Sequence, residues 1–547
     1  MSVQISAKKI RQEVDRRRTF AIISHPDAGK TTLTEKLLLY GRAIHLAGSV
    51  KSRRAAKHAV SDWMELEKQR GISITSSVLQ FPYGGFAVNL LDTPGHADFS
   101  EDTYRTLSAA DSAVMLIDVA KGVEPQTKKL FKVCRMRNMP IFTFVNKMDR
   151  QGREPLELME EIEDLLKIRS CPVTWPIGMG KGFKGVYDRL NEKVLLFDAD
   201  GSHGESVVEV DSYDLDDDEL LVKLGEDVYL TLLDELELLD VAGDPIDVER
   251  IRKGELTPMF FGSAMTNFGV EPFLDHFLGM SPSPIDAQTN IVDPYEEDFS
   301  GFIFKIQANM NPAHRDRIAF LRVTSGRYQR DMQARLKRTD RQIKLAHPQG
   351  FMADDRMKME EAYAGDIIGL YDPGVFKIGD TVLGGGLTVD EPNIPRFSPE
   401  HFAVVETKNA LKRKQLVKGL AQLSEEGTIQ VFKQPGLGDL DAVVGAVGIL
   451  QFEVLKFRLQ HEYKVDVRLR SLNYKHARWV DGEGYDEAAM ARADYAMALR
   501  DKDDLPIVLF RNDWALNYCR TNQAELEFLS NPPGTPGLAE LHGNGWM

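Results

Sequence analysis

The stretch FAIISHPDAGKTT, residues 20–32, decides how the rest of the sequence is interpreted. Its four apolar residues predict a buried strand that runs into a turn, and leucines at 33, 37 and 38 predict a helix after it. In such a turn, successive backbone N–H groups can face a phosphate, and the helix N-terminus adds a favourable dipole. Lys30 supplies a charge for the β- and γ-phosphates, and the Thr31 hydroxyl can bind Mg²⁺. Ser24 stands where the usual pattern has glycine, but the strand and helix context predicts a phosphate-binding loop.

Length and composition place the chain among ordinary globular proteins. Its 547 residues exceed what one hydrophobic core organises and predict about three or four domains. No apolar run approaches the ~20 residues that span a bilayer. The N-terminus lacks the apolar core of a signal peptide, so we expect a cytoplasmic protein without a membrane partner. Cys134, Cys171 and Cys519 are far apart, which favours neither a disulfide framework nor a cysteine-rich zinc site.

Charge is unevenly distributed along the chain. The net charge is −15, yet residues 198–250 alone carry 19 acidic and 2 basic residues, whereas residues 301–348 carry 11 basic and 3 acidic ones. This asymmetry allows an anionic partner for the basic regions and a cationic one for the acidic segment. Each run is equally compatible with solvated surface charge, so charge alone leaves the partner open.

A second apolar run, residues 86–91, ends in DTPGH at residues 92–96. A parallel strand that ends in an aspartate places the carboxylate at the edge where open α/β sheets bind ligands. Asp92 can then hold Mg²⁺ through its water shell, and Gly95 can bring its backbone N–H to a terminal phosphate. His96 can orient or activate the water that attacks the γ-phosphate. A lone histidine is more often an ordinary loop residue, but its place beside DTPG favours catalysis.

The strand predicted at residues 141–145 is followed by NKMD, residues 146–149. Asp149 can accept from N1–H and the 2-amino group of guanine, a donor pair that adenine lacks, and such sites discriminate by ~10⁴-fold or more. Asn146 can bond the other edge of the base and brace the phosphate loop, and the Lys147 stem can cover the ring. Further predicted elements, a strand at 113–118 and a helix at 126–137, complete a mostly parallel sheet.

Residues 41–75 are polar, glycine-punctuated and close in sequence to this predicted nucleotide site. Long loops of this kind can act as mobile switches, since a γ-phosphate can order them and hydrolysis can release them. The hydroxyls of Ser73 and Thr75 can reach Mg²⁺ or the γ-phosphate, although hydroxyls are common in loops.

The motifs SHPDAGKTT, RGISIT, DTPGH and NKMD, in this order, resemble the GTPase domain of the translation factors. The resemblance implies GTP hydrolysis with Mg²⁺, catalysis by His96, and a metal contact at Ser73, where the family carries threonine. It also places the last guanine-binding motif at GSAMTN, where Ser263 and Ala264 would offer backbone N–H groups to the guanine oxygen. Met265 replaces the lysine that is frequent there.

The predicted site therefore has three kinds of residue. The catalytic residue is His96. The Mg²⁺ ligands are Thr31, Ser73 and Asp92. The residues predicted to bind GTP or GDP are Ser24, His25, Pro26, Asp27, Ala28, Gly29, Lys30, Thr31, Thr32, Asp92, Thr93, Pro94, Gly95, Asn146, Lys147, Met148, Asp149, Ser263, Ala264 and Met265.

The domain organisation follows from the spacing of these motifs. Between Asn146 and Ser263 lie far more residues than the ~30 of a βαβ unit, so we expect an inserted subdomain, as in elongation factor G and its relatives. We predict a P-loop GTPase domain at residues 1–285 with an inserted acidic subdomain at about 170–258. A small antiparallel β-barrel at 298–390, a C-terminal α+β domain at 396–530 and a flexible tail at 531–547 complete the prediction.

The patterns after residue 300 support this division. Short alternating runs separated by Gly, Asp and Pro predict the antiparallel barrel. Residues 400–475 predict the order strand, helix, strand, strand, helix, strand of a ferredoxin-like split βαβ. A helix at 486–498 and an apolar strand at 505–510 are predicted after it. The basic residues Lys412, Arg413, Lys414, Arg468 and Arg470 can meet phosphate backbones or simply lie on the surface.

Two stretches, FKIQANMNPAHRDRIAFLRVTSG and RFSPEHFAVV, are similar to the class II bacterial release factors and differ from elongation factor G. This resemblance implies a ribosome-binding GTPase of translation termination that stimulates class I release factors and promotes their dissociation after peptide release. It further implies a monomer without a DNA partner. Other interpretations stay open: a ribosomal GTPase of elongation-factor or ribosome-protection type, or a non-translational GTP-regulated binding protein. An ATP-using kinase would require NKMD to be accidental.

Overall fold

The computed structural model describes residues 7–44, 67, 73–197, 206–287, 291–308, 317–346, 348–352, 355–390, 392, 394, 397–407, 409–435 and 438–533. We refer to residues 7–287 as the N-terminal part, residues 291–390 as the middle part and residues 397–533 as the C-terminal part. Most of the predicted switch loop, residues 45–66 and 68–72, lies outside the described residues, as does the predicted tail from residue 534.

The N-terminal part contains, within its described residues, a seven-stranded sheet that is mostly parallel. From one edge to the other, its strands are Ser77–Tyr83, Phe86–Asp92, Arg17–Ser24, Ser112–Asp118, Ile141–Asn146, Leu256–Phe261 and Arg169–Pro172. The edge strand Ser77–Tyr83 runs antiparallel to its neighbour, and the other pairs are parallel. Alternate residues of Arg17–Ser24 enter two different hydrophobic clusters, one on each face of the sheet. This burial on both faces explains the uninterrupted apolar runs in the sequence.

The described residues of the N-terminal part also form helices and a smaller sheet. The described helices are Ala7–Asp15, Lys30–Tyr40, Ser100–Leu107, Pro125–Met136, Pro155–Leu166, Asp218–Leu224, Glu226–Ala242, Val248–Arg252 and Val270–Met280, with 3₁₀ turns at Ala97–Phe99 and Gly180–Gly182. The smaller sheet is antiparallel and has the order Val210–Asp214, Lys193–Phe197, Gly185–Asp188 and Thr174–Ile177. Because Arg169–Pro172 and Leu256–Phe261 belong to the main sheet, the described residues of the insertion outside that sheet are 174–197 and 206–252, which include most of the acidic segment.

The middle part is built from antiparallel strands. One sheet has the order Arg341–Lys344, Gln333–Leu336, Thr381–Leu383, Ser300–Ala308, Arg317–Ser325, Ile367–Tyr371, Gln349–Met352 and Asp355–Lys358. A second pair consists of Arg327–Gln329 and Glu361–Tyr363. Buried apolar side chains such as Ile303, Leu321 and Val382 form the core between them. The antiparallel β architecture predicted for this region is confirmed.

The C-terminal part begins with the predicted split βαβ. The strands His401–Thr407, Gln430–Gln434, Gly438–Ala446 and Val467–Leu472 alternate with the helices Arg413–Glu425 and Ile449–His461, after a 3₁₀ turn at Ala410–Lys412. When these four strands are numbered along the chain, they lie in the order 4-1-3-2 across an antiparallel sheet. This is the ferredoxin order, so the prediction of a split βαβ is confirmed. The sheet continues through Ala496–Arg500, Pro506–Phe510, His476–Asp481 and Glu527–Leu529. Helix Asp513–Asn522 follows the hairpin.

The helix predicted at residues 486–498 is wrong in length. The structure has a short helix, Glu487–Ala491, and then the strand Ala496–Arg500. That strand forms a hairpin with Pro506–Phe510, closed by the Asp501 N–H donating to the Leu505 carbonyl at 3.0 Å. Pairing with a buried neighbouring strand has therefore overridden the helical propensity of an alanine-rich segment.

Buried polar contacts join the three parts. Arg322 of the middle part donates to both carboxylate oxygens of Asp111 in the N-terminal part, at 2.7 Å each. Lys305 donates to the Ser76 carbonyl at 2.6 Å. The N-terminal part also contacts the C-terminal part, where Arg105 donates to the Gly427 carbonyl at 3.4 Å. No helix in the described ranges combines the length and the apolar content needed to cross a bilayer.

Candidate functional site

The predicted nucleotide-binding residues lie at the ends of four strands of the main sheet and in the segments that follow them. Arg17–Ser24 leads into residues 25–29, Phe86–Asp92 into 93–96, Ile141–Asn146 into 147–149, and Leu256–Phe261 into 262–265. These strands are parallel to one another within the same sheet. Their carboxyl ends therefore meet at one edge, which is where open α/β sheets bind ligands.

The loop before helix Lys30–Tyr40 has the backbone shape of an anion cradle. Asp27 and Gly29 both adopt positive φ angles, 66° and 102°. A Cβ added to Gly29 would lie 2.3 Å from Asn146 Nδ2, so glycine is needed at this close approach. No side chain of the described residues caps the helix, which leaves its first N–H groups available to a phosphate. The buried Ser24 hydroxyl also lacks a hydrogen-bond partner among the described residues.

Oxygen ligands and a lysine lie beside this cradle. Lys30 contacts the Asp92 carboxylate, and both side chains are almost fully buried. Thr31 Oγ1 lies 3.5 Å from Ser73 Oγ. The described residues hold no cluster of three His, Cys, Asp or Glu side chains, so a cation here would use hydroxyls, one carboxylate and phosphate oxygens. This donor set fits Mg²⁺, which is usually bound by few carboxylates together with substrate phosphates.

Asn146 connects the two halves of the site. Its Nδ2 donates to the Ala28 carbonyl at 2.9 Å, and its Oδ1 accepts from the Ala264 N–H at 2.9 Å. The phosphate loop and the loop at 262–265 are therefore held by one side chain. Ser263 donates its hydroxyl to Asp149 Oδ1 at 2.6 Å, which fixes the carboxylate that is predicted to recognise guanine.

Lys147 has a contact that the sequence did not reveal. Its Nζ donates to the Asp27 carbonyl at 2.6 Å and to Asp118 Oδ2 at 2.5 Å. Burial raises the pKa of Asp118, but the hydrogen bond and the charge of Lys147 outweigh it, so the pKa lies below its ordinary value. Asp118 was missed as a site residue, although it ends the strand Ser112–Asp118 directly beside Asn146. The same strand-end argument used for Asp92 could have found it.

His96 lies at the start of the 3₁₀ turn Ala97–Phe99. Its Nδ1 accepts from the Asp98 N–H at 3.2 Å, and its ring packs edge-on against Phe99 with centroids 6.2 Å apart. The neighbouring Gly95 lies against the phosphate loop, since a Cβ added there would be 3.5 Å from Pro26 Cα. The loop at 93–96 therefore contacts the phosphate loop through its backbone, whereas the histidine ring contacts its own turn.

The remaining predicted residues support these loops. Thr93 donates to the Ile22 carbonyl at 2.6 Å, and the Pro94 carbonyl accepts from Thr103 at 3.2 Å. Met148 is fully buried and its N–H donates to the Gly262 carbonyl at 3.1 Å. Three more residues of the predicted set lie nearby. His25 Nε2 is 3.4 Å from Glu124 Oε1. Thr32, in the first turn of helix Lys30–Tyr40, and Met265 are both half-buried.

Comparison with known proteins assigns a family description to each part. The Elongation factor Tu GTP binding domain matches residues 15–283, Elongation factor G domain 2 matches residues 298–385, and the C-terminal domain of Class II release factor RF3 matches residues 392–520. A crystal structure of a Thermus thermophilus protein has the same fold, with a TM-score of 0.68 at 23% identity over 86% of this chain and 70% of that one. Fold, loops and family matches together define a translational GTPase that binds guanine nucleotides.

The chain belongs to the peptide chain release factor 3 family. It is 60% identical to the peptide chain release factor 3 of Symbiobacterium thermophilum over 508 residues, which cover 92% of this chain and 96% of that protein. The proteins of that name from Acaryochloris marina and Ligilactobacillus salivarius are 53% and 52% identical, over 96% and 93% of this chain and 97% and 96% of their own lengths. The chain is therefore a release-factor GTPase of translation termination.

Proposed function

We propose that the site binds GTP together with Mg²⁺ and that the ribosome stimulates hydrolysis of the γ-phosphate. The observation that carries this proposal is the double hydrogen bond of Asn146, which places the phosphate loop and the base-recognition loop in one fixed frame. Lys30 neutralises phosphate charge, and Asp149 selects guanine. Thr31, Ser73 and Asp92 would hold the metal ion, which when bound would neutralise charge on the phosphate oxygens.

His96 acts in hydrolysis by orienting the attacking water. Because its Nδ1 accepts a hydrogen bond from the Asp98 N–H, the neutral ring carries its proton on Nε2. An Nε2–H group can donate to the water or to a phosphate oxygen, and such positioning is the main contribution that proteins make to phosphoryl transfer. The loop at 93–96 contacts the phosphate loop through Gly95, so a change in the bound phosphate would move His96 as well.

In the cell, we propose that the chain works as a cytoplasmic monomer on terminated ribosomes. It stimulates class I release factors, promotes their dissociation after peptide release, and leaves upon GTP hydrolysis. The membership in the release factor family supports this role. We assign the guanine nucleotide chemistry to residues 1–285 with the acidic insertion at about 170–258. The regions at 298–390 and 396–530 are proposed as a β-barrel domain and a C-terminal α+β domain.

Dissociation of a labelled class I factor from terminated ribosomes tests this role. The factor is bound to ribosomes after peptide release, the chain is added with GTP, GDP or no nucleotide, and the loss of bound label is followed over time. We expect rapid loss with GTP in the presence of the chain. Loss at the same rate with and without the chain would reject the proposed role, and translocation of transfer RNA in its place would indicate an elongation-type factor.

The substitution His96→Ala tests the chemistry. Since a positioned group in proton transfer contributes ~10²-fold or more, we expect ribosome-stimulated hydrolysis to fall by at least that factor while GTP affinity is retained. Single-turnover hydrolysis of radiolabelled GTP, with affinity measured separately by titration, provides both values. His276→Ala is a control variant, because His276 lies on helix Val270–Met280 and its Nε2 bonds Asp188 of the acidic insertion at 2.7 Å. Near-normal hydrolysis by His96→Ala would remove His96 from the mechanism.

A further inference from the structure

The helix Ile449–His461 of the C-terminal part starts without a capping side chain of its own. Its N-cap residue is Gly448. Gln451 accepts from the N–H groups of Val447 and Gly448, at 2.7 and 3.1 Å, so its side-chain oxygen serves residues that precede the helix. The N–H groups of a first helical turn need acceptors from outside the helix. The N–H of Leu450 therefore requires another partner.

That partner is Asp98, which belongs to the N-terminal part. Asp98 Oδ2 accepts from the Leu450 N–H at 2.8 Å, the bond that an N-cap side chain normally makes. A Cβ added to Gly448 would lie 2.1 Å from Asp98 Cγ and 2.6 Å from its Cα. Glycine at this position is thus what allows the aspartate of another part of the molecule to reach the helix.

Apolar packing surrounds this cap. Phe99, Ile74 and Val454 form a small buried cluster against which Leu450 and Phe457 also pack. Phe99 directly follows Asp98, and Ile74 directly follows the predicted metal ligand Ser73. The segment that carries the predicted metal ligand Ser73 and the segment that carries His96 therefore meet on one helix of the C-terminal part.

Asp98 also contacts the histidine that is proposed to orient the attacking water. Its backbone N–H donates to His96 Nδ1 at 3.2 Å, and its carboxylate Oδ1 lies 3.4 Å from the same nitrogen. The backbone N–H of Asp98 thus bonds His96, and its carboxylate caps helix Ile449–His461. A shift of the Asp98 backbone would change both contacts together.

We propose that Asp98 is a positioning residue through which the C-terminal part controls GTP hydrolysis. The helix Ile449–His461 fixes Asp98, and Asp98 fixes the ring of His96. This inference rests on the role proposed above for His96. Movement of the C-terminal part away from the N-terminal part removes the Leu450 N–H from Asp98 and frees the histidine. Docking of the C-terminal part and catalytic geometry are therefore coupled.

Single-turnover hydrolysis on ribosomes by the full chain tests the proposal. Asp98→Ala removes the carboxylate that caps Leu450 but keeps the backbone N–H that bonds His96. Because the helix then no longer holds the turn that carries His96, we expect the maximal rate to fall roughly tenfold, with the GTP affinity and the ribosome concentration for half-maximal rate unchanged. Asp98→Asn keeps an acceptor for Leu450 and should retain most of the rate. Gly448→Ala displaces Asp98 from the other side of the contact and should reproduce the loss. These are effects on the rate at saturation, which a general loss of folded protein would not imitate.

The double variant His96→Ala/Asp98→Ala separates positioning from an independent role. If Asp98 acts through His96, the double variant hydrolyses GTP at the same maximal rate as His96→Ala alone. Asp217→Ala is the matched control, because Asp217 caps a helix in the acidic insertion by accepting from the Glu219 N–H at 2.9 Å. A full tenfold loss in the His96→Ala background, or an unchanged rate for Asp98→Ala, would overturn the inference. An unchanged rate for His96→Ala alone would instead refute the proposed function.

Discussion

Asn146→Ala is the substitution that most directly tests how the site is assembled. The side chain makes two hydrogen bonds, to the Ala28 carbonyl and from the Ala264 N–H, both at 2.9 Å. Ala28 and Ala264 are each only 1% exposed, so water cannot easily replace the lost partner. The alanine variant leaves a buried carbonyl and a buried N–H without partners in the two loops that are proposed to hold the nucleotide.

The expected loss of nucleotide affinity follows from these two backbone groups without hydrogen-bond partners. An unsatisfied buried backbone group costs about 1–3 kcal/mol, so the pair costs about 2–6 kcal/mol. In the nucleotide-free chain the loops can relax and recover part of this cost, but the bound state requires both loops in place. We therefore expect guanine nucleotide affinity to fall by at least about 30-fold, which corresponds to about 2 kcal/mol.

Equilibrium titration with a fluorescent GDP derivative measures this loss, and thermal unfolding without nucleotide checks that the variant is folded. Asn512→Ala is a suitable control because Asn512 also makes a side-chain bond of 2.9 Å, to the Ala515 N–H at the start of a helix in the C-terminal part. The control should bind GDP as the parent chain does. An affinity of Asn146→Ala within threefold of the parent chain would show that the two bonds do not organise the site.

Two further predictions concern the base and the pH dependence of stability. Asp149→Asn should weaken the preference for guanine, measured as the ratio of GTP to ATP affinity, and an unchanged ratio would mean that the base pocket is misassigned. Burial raises the pKa of Asp102, but Lys305 and hydrogen bonds from Ser76 hold it below its ordinary value. The stability that this carboxylate contributes is therefore present above the unfolded pKa of about 3.9 and lost as the pH falls through the lower folded pKa. In denaturant unfolding at pH 7, Asp102→Asn should be less stable than the parent chain by about 1–3 kcal/mol. Between pH 5 and 2 the variant should lose less stability than the parent chain. Equal losses in the two proteins would contradict a stabilising role for the Asp102 carboxylate.

Sequence patterns predicted much of the fold because the sheets are built from strands and helices that are neighbours in the sequence. The buried strand before Lys30 and the helix after it carry their own signals, and the helix and strand order of residues 400–475 was enough for the ferredoxin topology. The loops of the site could be placed at one edge because parallel strands put their carboxyl ends together. Asp92 and Asn146 are the last residues of such strands in the structure.

Contacts between distant residues could not be predicted in this way. The partner of Lys147 is Asp118, and no short motif joins them. The strand Ala496–Arg500 has an alanine-rich sequence whose helical propensity is clear, and only its pairing with Pro506–Phe510 explains its conformation. The sequence also gives no sign that Asp98 caps Leu450, because the two residues are far apart in the chain. In the sequence alone, Gly448 is an ordinary turn residue.

The polar contacts between the parts favour docking as a single cooperative step. Lys305 reaches both Ser76 and Asp102, at 2.6 and 3.4 Å, while Asp98 of the same region caps the helix of the C-terminal part. A half-docked state would leave charged groups partly buried without partners, which costs more than either fully docked or fully separated parts. Such a state is avoided if the middle and C-terminal parts move together. A shift of the segment at 73–76 or 93–99 would therefore act on both parts at once.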